Sequence, residues 1–132
     1  MASPDAGLVA AINANATIIS LVAGRVYHGE RPQSSALPAV LWIRTGVQRE
    51  ILLDGPSSMA TAYYEVEVMA VTSAVCRSLA DAVRSALHGV TGNLGGDTVR
   101  LVTVTNEVDL SDIDGDVKVR HIIQDVEIIF TE

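Results

Sequence analysis

Apolar residues recur along this chain with two different periods, and the switches between them divide it into elements. Ser3-Pro4-Asp5 predicts a helix start, because proline suits the first turn and an acid suits the positive end of the helix dipole. Leu8, Val9 and Ile12 continue at helical spacing to about Asn13. A second short apolar segment, Ile18, Ile19, Leu21 and Val22, ends at Gly24, a residue type that caps helix C-termini. Tyr27 to Pro38 holds two prolines, two serines and a glycine, and is predicted as an extended loop.

From Val40 to Val47 the period becomes two, with Leu41 and Ile43 on one side and Val40 and Trp42 on the other. Arg49 to Ser58 reads as a loop turning at Asp54-Gly55-Pro56-Ser57. The clearest strand is Thr61 to Val71, where Tyr64, Val66, Val68 and Ala70 alternate with Tyr63, Glu65 and Glu67. Such alternation implies a sheet with one buried face. Thr72 or Ser73 then caps a helix over about Ala74 to His88, whose stripe of Val75, Leu79, Ala82, Val83, Ala86 and Leu87 opposes Arg77, Asp81 and Arg84. Gly89 stops it. After the turn-rich stretch Thr91 to Gly96 the pattern predicts a strand near Thr98 to Thr105, an acidic loop, and a long strand from Val117 to Phe130. In that last strand Ile122, Val126, Ile128 and Phe130 share a face.

The predicted fold is α+β, one domain over residues 1–132 with no internal repeat. Its sheet is expected to be mostly antiparallel or mixed, with about four strands packed by one long helix. A short helical segment precedes it.

Composition narrows the function. Hydrophobic residues are 48% of the 132 positions but aromatics only 4%, so the core is aliphatic and suits packing better than an aromatic-lined ligand cleft. The formal net charge of -7 opposes specific or general nucleic-acid binding and docking on anionic lipid, both of which need clustered Lys and Arg. Of nine basic residues only Lys118 is a lysine, and arginine's planar fork favours paired contacts. No apolar run approaches the ~20 residues needed to cross a bilayer. The first basic residue is Arg25, so a secretory start is not expected. Cys76 is the single cysteine, which rules out an intrachain disulfide and reads as a packed thiol.

Searching for chemistry yields little. His28, His88 and His121 belong to no zinc-ligand spacing, so no metal is expected. Glu107, Asp109, Asp112, Asp114 and Asp116 form the densest acid cluster, but Leu110 and His121 stand where a calcium loop needs carboxylates. The cluster is left as a solvated turn or an acidic docking surface. Gly92 to Gly96 lacks a phosphate-loop ending, no GxSxG elbow surrounds a serine, and Glu65 with Glu67 suits the wet side of a strand. No catalytic set and no cofactor site assembles.

Four pieces in order carry a family resemblance. They are Gly24-Arg25-Val26-Tyr27 with Pro32-Gln33 and Leu37-Pro38-Ala39-Val40; the turn Leu53 to Ser57; the strand Glu65 to Ala70; and the helix Ser78 to Leu87. Together they resemble the tail terminator, or tail completion, family of tailed bacteriophages, from about residue 6 to 90 and more loosely through the last strands. The acid-rich segment Asp109 to Asp116 departs from that pattern. The resemblance implies a non-enzymatic virion protein: a homo-oligomer, a hexameric ring at the head-proximal end of the tail. It would be assembled in the host cytoplasm and contact the tail tube protein and a head–tail connector or head completion protein. The alternatives are a head closure or neck subunit, and a small cytoplasmic enzyme or ligand-binding domain. Expected contact residues are Ile51, Leu52, Leu53 and Asp54 in one loop, and Asp109, Asp112, Asp114 and Asp116 in the other.

Overall fold

Where the period of two is strongest, the chain forms the middle of a sheet. The computed structural model describes residues 4–30, 36–53, 55–94, 97–114 and 117–131. Helices α1 (Pro4–Asn13) and α2 (Ala16–Val22) come first, then strands β1 (Val26–His28), β2 (Ala39–Leu52) and β3 (Gly55–Ala70). Helix α3 (Ser73–Leu87) follows, and β4 (Gly92–Leu94), β5 (Asp97–Asp114) and β6 (Val117–Thr131) complete the fold. Among the described residues the strands form one mixed sheet in the order β1-β2-β3-β6-β5-β4, in which only β1 and β2 pair in parallel.

All three helices lie on one face. Tyr64, Val66, Val68 and Ala70 of β3 and Ile122, Val126, Ile128 and Phe130 of β6 are buried against them, as the alternation predicts. From the helices come Leu8 and Ile12, Ile18 and Val22, and Cys76, Leu79, Ala80, Val83 and Leu87. Thr72 caps α3, its hydroxyl accepting from the Val75 N–H at 3.3 Å. Asn15 does the same for α2, accepting from Ile18 N–H at 3.0 Å. The Tyr64 hydroxyl, deep in the sheet, donates to Asp5 of α1 and satisfies a polar group that burial would otherwise penalise.

Four expectations are corrected. Among the described residues the sheet has six strands, not about four, because β1 and β4 add three-residue pieces at its edges. The helical layer is three helices, and α3 at 15 residues has an ordinary length. The cap of α2 begins one residue before Gly24, with Ala23 itself left-handed (φ 50°) and its N–H on Ile19 O at 2.9 Å. Finally, neither long loop is a loop. Residues expected at a turn-rich 49–58 continue β2 and β3 as a hairpin, and the acidic stretch is strand β5 as far as Asp114. In both cases cross-strand pairing overrides turn-forming composition.

Leu79 is fully buried at the centre of the α3 stripe. Leu79→Ala is expected to cost on the order of 2–5 kcal/mol, the range for a truncated core leucine, measured by urea denaturation.

Candidate assembly surfaces

The expected contact residues fall on the two long hairpins. Ile51 and Leu52 close β2, pairing with Pro56 and Gly55, and Leu53 at the tip is fully exposed. Asp54 and Asp116 lie outside the described residues. Asp112 and Asp114 end β5 opposite Val119 and Val117. β3 pairs with β6 only from Met59 to Ala70, so the β2–β3 tip extends past one end of the sheet and the β5–β6 tip past the other. At about 3.3 Å per residue, β3 alone separates those ends by roughly 50 Å. The two expected surfaces are therefore far apart.

The acidic segment is less free than its sequence implies. Arg77, on the polar side of α3, donates from Nη1 to Glu107 Oε2 and from Nη2 to Asp109 Oδ2, both at 2.7 Å. These acids are two residues apart on one strand and so share a face, which lets a single guanidinium fork reach both. Gln124 completes the group. Fully buried on β6, it donates from Nε2 to Glu107 Oε1 and to Ala80 O of α3, each at 2.9 Å. Its own Oε1 finds no partner among the described residues. The hydrogen bond from Gln124 and the Arg77 charge hold the Glu107 carboxyl below the ordinary carboxylate range. Sequence reading missed both partners. The available signal was Gln124 itself, a polar residue in the apolar register between Ile122 and Val126.

Beside this cluster, a depression of about 200 Å³ is lined by Cys76, Arg77, Asp109, Leu110, Arg120 and His121, among others. It does not assemble a reactive pair. Burial pushes the Cys76 thiol up, and Sγ donates weakly to Arg120 O at 3.5 Å and Val68 O at 3.7 Å. Arg77 is committed to its two acids, and His121 pairs with Glu67. Among the described residues no group of three metal-ligating side chains forms.

Among the described residues, no helix packs on the sheet face away from α1, α2 and α3. Cross-strand rows on it run Leu41, Glu67, Ile123, Val108 and then Ile43, Glu65, Asp125, Asn106, with Tyr63, Glu127 and Thr103 next. An acidic band thus crosses a face that exposes Ile43, Val108 and Leu110 on one side of it and Met59 and Leu101 on the other. At the Ala70 end a small second core of Ala39, Met69 and Val119, with Tyr27, Leu37 and Leu41, covers part of it.

Because Glu107 is held below its ordinary value near 4.5, its contribution to stability is complete above that value. It is lost as pH falls through the lower folded one. Glu107→Gln should therefore be less stable than the native protein at neutral pH. The difference should close with acidification, as read from urea midpoints at a series of pH values.

No curated protein sequence matches the chain. Among solved structures, one chain from "Virion of native gene transfer agent (GTA) particle" superposes with a TM-score of 0.74 at 18% identity. The match covers 95% of this chain and 92% of that one, and it shows a shared fold. Over residues 6–131 the chain matches the family described as "Tail completion protein gp17". By that match the chain belongs to the tail completion family, a family of phage structural proteins and not of enzymes.

Proposed function

We propose that this protein is the subunit of a six-membered ring that closes the head-proximal end of a phage tail tube, stops its growth and joins tail to head. Family membership supports the tail role. The observation that carries the finer reading is the pair of hairpins projecting from opposite ends of one sheet. A subunit that must touch a tube on one side and a head connector on the other needs two contact sites separated along one rigid element. Here β3 and β6 supply that element.

In this reading the tip around Ile51, Leu52, Leu53 and Asp54 buries aliphatic area against one neighbour. An exposed leucine at a hairpin tip has no folding role to explain it. The opposite tip, with Asp112, Asp114 and Asp116, meets a basic surface on the connector or head completion protein. Charged rims of this kind chiefly set association rate and specificity, and salt weakens them. Asp109 is tied to Arg77 and belongs to the support of that tip. The gene transfer agent virion chain with the same fold is consistent with a place in a tailed particle.

Electron microscopy of particles carrying a tagged subunit should show a ring of six copies at the head end of the tube. Another stoichiometry, or a tag elsewhere on the particle, overturns the reading. Leu53→Ser, or Asp112, Asp114 and Asp116 all replaced by Asn, should leave the melting temperature within a degree or two and lower the yield of joined particles severalfold. Joined particles at native yield from both variants would show that the tips make no essential contact.

A further inference from the structure

Halfway along β5 the forces that hold it to the helices change. Val99, Val102 and Val104 pack on the core, level with Phe130, Ile128 and Val126 of β6. After the bulge between Val104 and Asn106, the next two helix-side positions are Glu107 and Asp109, level with Gln124 and Ile122. The apolar residues of this stretch, Val108 and Leu110, alternate with them and are exposed on the other face. Over these residues β5 is therefore held to α3 by hydrogen bonds and ion pairs, not by apolar burial.

The stretch so held is the root of the acidic hairpin. β3 ends its pairing with β6 at Ala70 opposite Arg120. Beyond that level the described ladder is β5 with β6 alone, Asp112 to Asp114 against Val119 to Val117. A two-stranded ribbon twists more than the middle of a sheet and is marginal by itself. Its direction is inherited from the residues fixed behind it. The small second core holds Val119 from the open face. On the helix side the nearest tie is Asp109, roughly 10 Å along the strand from Asp112.

That tie has one buried member. Gln124 is the one amide or charged side chain buried among the described residues. Its Nε2 bridges Ala80 O of α3 and Glu107 Oε1 of β5, both at 2.9 Å, and Glu107 shares the Arg77 guanidinium with Asp109. Arg77 is half-exposed, so its long side chain keeps the rotamer freedom to follow the two acids if they move. The Gln124 amide is confined by close packing and has no such freedom. A hydrogen bond is also directional where an apolar contact is not. The bridge thus holds Glu107 at one place over α3.

We infer that Gln124 is a positioning residue. It acts through Glu107 to set the direction in which the β5–β6 hairpin presents Asp112, Asp114 and Asp116, and it adds nothing to net stability. The inference rests on the contact role proposed above for that tip and names the residue that aims it. A folding role alone would favour the opposite choice of residue. An apolar side chain of the same length fills the site without an Oε1 that meets no partner among the described residues.

Gln124→Met in the full-length protein separates position from stability, because methionine keeps the length and shape and loses the hydrogen bonds. Its melting temperature should equal or exceed the native one. The direction of the hairpin is read by pulsed electron paramagnetic resonance between nitroxides on Ser85→Cys, an exposed position of α3, and Asp112→Cys. Labelled protein is diluted with unlabelled, and Cys76 is buried and should take no label. One narrow distance peak is expected with Gln124, and a displaced or broader one with Gln124→Met. The unlabelled variant should lower the yield of joined particles severalfold. A distance peak unchanged by Gln124→Met would overturn the inference, as would a variant that melts well below the native protein, since Gln124 would then serve stability. Native yield from Gln124→Met, where replacing the three tip aspartates by asparagine does lower it, would overturn the inference and leave the reading of the tip standing. Native yield from both would remove the inference together with the contact role it rests on.

Discussion

The unbroken ladder between β3 and β6 sets the orientation of everything around it. From Met59 opposite Thr131 to Ala70 opposite Arg120 the register runs without a bulge, and both strands bury every second residue under the helices. A slip of one residue would send Val66, Val68, Val126 and Ile128 into water together, so the register is strongly specified. Among the described residues bulges occur only in the outer pairs, β2 with β3 and β5 with β6. There they re-aim the half of each outer strand that leaves the core, which is where the two hairpins begin to project.

That division explains what could be read from the sequence. The helix-facing residues of β3, β6 and α3 were legible because a dry face writes its period into the chain. The β2–β3 and β5–β6 hairpins were not, because beyond the core the periodic signal fades and Asp, Gly, Pro and Ser dominate. Glu107-Val108-Asp109-Leu110 does alternate, but the sequence leaves its acids open between a solvated turn and a docking surface, because the partner of Glu107, Arg77, lies 30 residues away on α3. Long-range pairing of that kind has no local signature. The short strands β1 and β4 were missed because three residues carry no period. Of the expected contact residues, Leu53 is seen exposed at a tip, Asp109 is seen tied to Arg77, and Asp54 and Asp116 lie outside the described residues.

The Arg77 cluster changes how the net charge of -7 should be weighed. Two of the five acids in the cluster are balanced within the chain, by an arginine that also ties α3 to the outer hairpin. Gln124 joins the same group from beneath, so α3, β5 and β6 meet at one polar point at the margin of the core. Such a point adds less to stability than to position. A buried glutamine whose Oε1 meets no partner among the described residues costs more than a leucine there would, but its two donated hydrogen bonds favour one placement of β5 beside α3. For a subunit whose outer hairpin must present itself at a set angle, placement is the more useful property.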